Sequence, residues 1–480
     1  MRALCTILAA TVAAALAGCA LKPPPDRDAL AQEAAENRQV PQKWTAAGGA
    51  PGAVADRWLA TFSDPQLDQL VREALAFNPD LRIAAARVEQ AAAYQKVAGA
   101  LLYPQVNLLA RGGGKMSGDS TGLQGVGVFV NWELDLWGRV RSGAAAAEAQ
   151  YVSTALDWEY ARQSLAAQVA KGWFLATEAR MQKALADEAV RASGGLAGLA
   201  QDRLRVGVGD EYDVRLAQAN LQTLRDAAAN LENAYQQALR SLETLAGRYP
   251  AAVVAVRPEL APPPAPVPVG MPSELLERRP DVAAAERRVA AAFYRIEEAK
   301  AARLPRISLT AAVTSVSSDL FVLKEQSNPV WSAGASLLAP LFLGGQLQGQ
   351  VEVRTAEQRQ AVAEYGRIGA RAFAEVENAL SAGFALDERE AILRQAVADN
   401  GRALELAHIR YRVGSGDLRG VLQQSLALYA AQVSLIRVRS ERLVQRVNLH
   451  LALGGSFEER PVEPPAAAAP RAAAAGEARQ

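Results

Sequence analysis

The side chains able to do chemistry in this chain are few, and their placement limits what that chemistry can be. Of the two cysteines, Cys5 and Cys19, the second follows Leu16-Ala17-Gly18. Small residues ahead of a cysteine are the pattern of a bacterial lipobox, in which the thiol takes up diacylglycerol before the signal peptide is cut. The upstream stretch fits: Met1 to Gly18 has one early cation, Arg2, then an apolar run from Ala3 to Leu16 too short to cross a bilayer as a mature helix. Cleavage removes Cys5 and leaves an acylated Cys19 as the mature first residue. The mature chain then has no free thiol, no disulfide and no Cys-based metal site.

The two histidines, His408 and His450, both fall within helical pattern, His450 on an apolar row with Leu443 and Val447. They read as packing or surface residues. Gly112-Gly113-Gly114-Lys115-Met116 has a faint likeness to a phosphate loop, but Leu109 stands where its first glycine is needed and Met116 where Ser or Thr is needed. Asp210-Glu211-Tyr212-Asp213 lacks the spacing of a calcium loop. No cofactor, metal or catalytic site is expected, and the chain does not read as an enzyme. With 52 Lys+Arg against 51 Asp+Glu there is no basic field to attract nucleic acid. No later stretch approaches the roughly 20 apolar residues of a membrane-crossing helix.

What organises the remaining residues is a duplication. The segment from Asn78, NPDLRIAAARVEQ, recurs from Arg279 as RPDVAAAERRVAA, with Pro79, Asp80, Val88 and Pro104 matching Pro280, Asp281, Val289 and Pro305 at an offset of 201. From Gly138 and Gly345 onward the offset is 207, and it aligns Arg203-x-Arg205-Val206-Gly207-x-Gly209-Asp210 with Arg410-x-Arg412-Val413-Gly414-x-Gly416-Asp417. The change of offset places a loop between about residues 111 and 131 of the first half. Between the halves, Pro262-Pro263-Pro264-Ala265-Pro266 cannot propagate a helix and favours extended polyproline backbone. The expected division is a signal peptide at 1–18, an anchored extension at 19–57, a first repeat at 58–250, a linker at 251–272, a second repeat at 273–457 and a disordered tail at 458–480.

Each half reads as a helix, two strands, a very long helix, a turn and a returning helix. Asn78-Pro79-Asp80 suits a helix start, and Pro104 stops that helix. Gln105-Val106-Asn107-Leu108 and Val126-Gly127-Val128-Phe129-Val130-Asn131-Trp132 alternate as strands do, and residues 307–314 and 331–337 repeat the pattern. Ser308, Thr310, Thr314, Ser332 and Ser336 share one face. Strands of this kind span membranes with apolar side chains to lipid and polar ones to a lumen, or form a soluble sheet with one wet face. Trp132, Trp137, Trp331 and Phe342 stand at strand ends, as an aromatic girdle or as core. Four strands cannot close a membrane barrel, whose lower limit is about eight, so several chains must share one.

From Gly138 to Gly207 there is no proline, and a helix of that span extends roughly 100 Å. Val140, Ala144, Ala147, Tyr151, Thr154, Trp158, Ala161 and Leu165 follow a coiled-coil 4-3 spacing. After the turn, Val214, Ala217, Leu221, Leu224, Ala228, Leu231, Tyr235, Ala238, Leu242 and Leu245 do the same. Helices therefore pair antiparallel about Gly207 and about Gly414. The returning helix is half as long, which leaves room for the repeat's first helix to stack on its end.

Taken together, Leu16-Ala17-Gly18-Cys19, Trp132-Glu133-Leu134-Asp135-Leu136-Trp137-Gly138-Arg139, the paired Arg-Val-Gly turns and the two Pro-Asp repeat starts resemble the TolC-like outer-membrane factor family, in its lipoprotein efflux branch. The likeness runs from about Trp58 to Gly455. It implies a mainly α fold with a membrane β-barrel: a homotrimer whose twelve-stranded barrel sits in outer-membrane lipid and continues as a periplasmic helical tunnel. It also implies a periplasmic adaptor and an inner-membrane transporter as partners, in a pump exporting drugs or other small toxic compounds. Arg205, Val206, Gly207, Arg412, Val413 and Gly414 would form the docking tip. Asp210, Glu211, Asp213, Asp417 and Arg419 are candidate gate charges or merely a solvated turn, and Arg205 and Arg412 would reach helix-end carbonyls or Asp210 and Asp417. Gly420 and Gln423 stand where many members carry aspartates, so an acidic ring there is not carried over. The outlet of a type I protein-secretion system shares this architecture, and a non-channel periplasmic coiled-coil lipoprotein is the alternative of another class.

Overall fold

The computed structural model describes residues 21–34, 40–46, 52–54, 56–111, 124–317 and 330–458. Cys19, the glycine-rich stretch around Lys115 and the C-terminal tail lie outside them. The described elements run α1 (Arg27–Ala34), a 3₁₀ turn (Trp58–Phe62), α2 (Pro65–Phe77), α3 (Pro79–Ala100), β1 (Gln105–Arg111), β2 (Gln124–Leu134), α4 (Arg139–Arg205) and α5 (Glu211–Leu245). A second 3₁₀ turn (Pro272–Glu274) leads into α6 (Leu275–Arg278), α7 (Pro280–Ala301), β3 (Arg306–Ser317), β4 (Val330–Leu338), α8 (Gln346–Arg412) and α9 (Leu418–Ala452). The two halves share one order of elements, and α4 and α8 each have 67 residues without a break.

Helix starts follow local chemistry. Asp64 accepts from the backbone N–H of Gln66 and Leu67 at the head of α2, and Asn78 accepts from Leu81 N–H at the head of α3, each just before a proline. The sequence reading missed α2, although Leu67, Leu70, Val71 and Ala74 are spaced for one buried helix face and all four are buried. Stacking of short helices on returning ones occurs in both halves. The Asn78 amide donates to the Leu245 carbonyl at 3.0 Å, and the Arg279 guanidinium donates to the Ala452 carbonyl at 3.1 Å. Gly247 turns at φ 73°, where an added Cβ would sit 2.6 Å from the Phe77 carbonyl oxygen, so only glycine lets the chain pass.

The seam expected on α4 is shifted. Val140, Trp158 and Leu165 are buried, but Ala146, Ala149 and Ser153 take the buried row in place of Ala144, Ala147 and Thr154. The cause is that α4 packs against α3, α5, α7 and α9 rather than against one partner, so no single stripe describes it. On α5, with fewer neighbours, Val214, Ala217, Leu224 and Leu242 are buried and the other six expected positions half-buried.

Two apolar cores gird the middle of the long helices. One gathers Trp58, Phe62, Trp173, Phe174 and Leu242, the other Leu30, Val282, Tyr365, Ala372 and Leu453. The proline-rich connection carries no helix, yet it is part of the core: Val254 and Val256 enter the first cluster, Val267 and Val269 the second. Glu243, fully buried, fastens its start by accepting the N–H groups of Ala252, Val253 and Val254 at 2.6, 2.6 and 3.0 Å. Burial pushes its pKa up, and these donors more than offset that, holding it below the usual glutamate value.

Candidate functional site

At one end of the long helices the four strands form a single antiparallel sheet in the order β1-β2-β3-β4. Register sorts the side chains onto two unlike faces. Asn131 opposes Gln105 and Thr310, Glu133 opposes Ser308, and Ser308 opposes Ser336, so one face is polar. Phe129 lies on it and folds over Gly127, whose missing Cβ would meet the ring at 3.0 Å. The other face carries Val106, Leu108, Val128, Leu309, Trp331 and Leu337, every one exposed in the isolated chain, Trp331 by 76 %. Ser308, Thr310, Thr314, Ser332 and Ser336 do share a face, as their spacing predicts. The outer edges of β1 and β4 have no strand beside them among the described residues.

Where the sheet hands over to α4, each polar residue of the Trp132–Arg139 motif has work. Glu133 pairs with Arg139 through two hydrogen bonds of 2.9 and 2.8 Å, and Asp135 accepts the first N–H groups of the helix, from Val140 and Arg141, at 3.0 and 2.8 Å. The Trp132 indole donates to the Leu102 carbonyl and that of Trp137 to the Pro305 carbonyl, so both rings tie strand ends to the short helices. Phe342, four residues past the end of β4, is 87 % exposed. Leu21 and Lys22 line a cavity of about 260 Å³ here with Trp137 and Leu304, and the Lys22 ammonium lies over the Phe293 ring.

At the other end, roughly 100 Å of helix away, stand the two turns. Gly207 and Gly414 adopt φ 79° and 77° with open space around their Cα atoms, so backbone conformation alone demands glycine there. Val208 N–H donates to the Arg203 carbonyl and Ser415 N–H to that of Arg410, closing both helix ends alike. Asp210 and Asp417 are N-caps, accepting from Asp213 N–H and Gly420 N–H at 2.8 Å each. Val206, Val208 and Val413 are exposed by 67, 63 and 72 %, an apolar knob at the end of the rod.

The arginines are allotted differently from expectation. Arg205 pairs with Asp202, one turn back on its own helix, not with Asp210, and Arg412 is exposed. Glu211 pairs with Arg215. Contacts between the two turns come instead from Arg203, whose guanidinium lies 4.7 Å from the Tyr411 ring and donates to the Tyr411 carbonyl, and from Arg419. Arg419 lies over the Tyr212 ring and donates to its hydroxyl at 2.9 Å. Partial burial, then Asp210 and Asp417 around it, raise the Asp213 pKa against the pull of Arg203 and Arg419. The sequence reading gave no contact role to Arg203, quoted only within the duplicated turn, to Tyr212, quoted only in a rejected calcium-loop stretch, or to Tyr411. The available signal was that Tyr212 and Arg419 occupy equivalent positions of the duplication, an aromatic ring answering a cation.

A sheet with one apolar outer face and open edges, continued by helix hairpins of this length, defines a membrane channel subunit. The family comparison agrees: residues 70–248 and 271–455 match the family described as outer membrane efflux protein, and the chain belongs to it. It is 32% identical to the antibiotic efflux pump outer membrane protein ArpC of Pseudomonas putida, over 94% of this chain and 95% of that protein. It is 29% identical to the cation efflux system protein CusC of Escherichia coli, over 95% and 99%. Among solved structures the outer-membrane channel OprN superposes with a TM-score of 0.80 at 26% identity, covering 88% of this chain and 98% of that one. The chain is thus an outer-membrane efflux channel of the TolC-like fold, with four strands per chain as its alternation predicts.

Proposed function

We propose that this protein is the exit duct of a tripartite pump, a homotrimer that receives drugs or other small toxic compounds from an inner-membrane transporter through a periplasmic adaptor. The observation that carries the reading is the sheet: its apolar face is uncovered and, among the described residues, both edges are open, which lipid does not tolerate in a single chain. Three copies give a closed barrel of twelve strands. The ArpC likeness supports organic substrates. The tunnel has no catalytic role, and selection of cargo falls to the transporter.

The apolar knobs at Val206-Gly207-Val208 and Val413-Gly414 are the adaptor-docking surface in this reading, with Asp210, Glu211, Asp213, Asp417 and Arg419 around the closed mouth. Cys19 carries the lipid anchor. Leu21, two residues on, packs beside Trp137 at the strand end of the molecule, at the level where acyl chains would enter the bilayer. A Cys19→Ser variant is expected to lose labelling by a fatty-acid analogue and to accumulate as precursor; label retained on the serine variant refutes the anchor. For the duct itself, cysteines introduced as Val208→Cys or Ser415→Cys should crosslink to the adaptor in cells that export drug. Failure of both to crosslink, with export intact, removes the docking assignment. Capture of a folded polypeptide substrate in place of small molecules would instead favour a type I secretion outlet.

A further inference from the structure

The duplication makes the inside of one chain a template for the contact between two. Helix α7 lies between α4 and α8, whereas its counterpart α3 has α4 as its one extensive neighbour among the described residues. Twelve residues of α7 are buried and three of α3, Leu81, Val88 and Ala92. The difference is positional rather than compositional: Ala284 of α7 is fully buried, and the equivalent residue of α3, Ile83, is 52 % exposed. Val97 continues that uncovered face at 65 %, and its counterpart in α7, Glu298, lies against Gly143 of α4. The helix that α3 lacks is the counterpart of α4, and the counterpart of α4 is α8.

We propose that the open face of α3 seats helix α8 of a second copy of this chain, and that Arg87 there pairs with Glu364 of the partner subunit. Within the chain the α7–α4 contact is closed by Arg288, which meets Asp157 at 2.5 Å. The duplication carries Arg288 to Arg87 and Asp157 to Glu364, and both charges survive the transfer. Arg87 is exposed, and among the described residues it makes no ion pair within its own chain. Glu364 is hydrogen-bonded to Arg367 and lies close enough to Arg288 that both lower its pKa, in that order. Three seams would close a belt in which arginines and carboxylates alternate, Arg288 with Asp157 inside each chain and Arg87 with Glu364 between chains. The belt would fix which helix meets which as the copies assemble, since a like-charge register is penalised. This rests on the shared-barrel reading above.

The test uses the full-length trimer in detergent, read as the temperature at which it dissociates on a gel. Arg87→Glu should lower that midpoint measurably through repulsion of Glu364 of the partner subunit. Glu364→Arg should lower it too, and the double exchange should regain most of the loss. Because Arg87 makes no ion pair in its own chain among the described residues, its variant reads the seam with little disturbance of the fold. A second measurement guards against misfolded variants: Arg87→Cys with Glu364→Cys, bridged by a short bis-maleimide, should give linked dimers and trimers while either cysteine alone gives none. Single variants with wild-type midpoints, a double exchange without recovery, or a cysteine pair that does not bridge would each overturn the pairing. A wild-type particle of one chain would overturn the shared barrel itself, a different result.

Discussion

The waist and the tip of this molecule are made from the same helices by different means. At the waist, Trp58, Phe62, Trp173 and Phe174 fill a core, and the buried carboxylate of Asp64 accepts the Trp173 indole N–H at 3.0 Å as well as the N–H groups of Gln66 and Leu67. Arg279, with no exposed side chain, holds Asp281 at 2.8 Å and Glu375 at 2.6 Å. At the tip a small cluster of Leu196, Ala200, Val214, Tyr411, Leu418 and neighbours joins the hairpins, and the ion pairs around it lie between exposed side chains. Pairs of that kind contribute roughly 0–1 kcal/mol. A fixed frame is thus coupled to an end held by weak, separable contacts.

Breaking the frame should therefore cost most. Trp173→Ala removes a buried indole and strips Asp64 of a donor, and truncations of this size cost about 3–5 kcal/mol. We expect loss of assembled protein at growth temperature, measured as trimer yield, with Trp173→Phe intermediate. Arg279→Ala leaves buried Asp281 only the longer 3.4 Å contact with Arg371, a change of up to about 3–5 kcal/mol, whereas Arg279→Met with Asp281→Leu should recover much of it. If either waist variant assembles as wild type does, the contrast between the two regions fails.

Acid offers a graded way to loosen the waist. His450 stacks on Trp58 at 5.9 Å, and burial, helped by Arg446, lowers its pKa from 6.5 to about 4. A depressed pKa favours the neutral form in the fold, so its stabilising share is complete above pH 6.5 and is lost as pH falls toward 4. Glu243 and Glu390, both held below the usual 4.5, lose theirs at still lower pH. Melting temperature should decline from pH 6.5 to 4, and the decline should flatten in His450→Phe. An unchanged slope in that variant would assign the acid sensitivity elsewhere.

How much of this contrast sequence could disclose depends on how many neighbours each residue has. The hairpin turns, the strands and their polar face were legible because period and glycine position are local properties, as at Gly207 and along Ser308 to Thr314. Burial on α4, as at Ser153 and Arg162, was not, because that helix packs against helices from both halves, which periodicity on one helix cannot register. The linker shows the same limit, since nothing local announces that Val254 and Val267 enter separate cores. At the tip the charges were named but not their partners. Whether Arg203 or Arg205 faces the other hairpin is set by about 200° of helical rotation between them, and only the packing of Tyr411 fixes it.

The smallest effects on stability should come from the tip, and the largest effects on function with them. Gly207→Trp and Gly414→Trp meet open space and incur mainly the positive-φ penalty, roughly 1 kcal/mol, so trimer yield should stay normal while drug export, read by susceptibility, is lost. Normal export in both variants would move the working end of the duct away from the turns.

Conductance of the purified protein in a planar bilayer tests the central claim most directly, that this is a duct framed at the waist and closed at the tip. Wild type should give small or infrequent openings. Arg419→Ala, which frees Tyr212, should give larger and longer ones at unchanged melting temperature, and Asp417→Arg should act in the same direction. A protein that inserts but conducts in neither form would contradict the channel, and identical conductance of wild type and both variants would contradict closure by the tip.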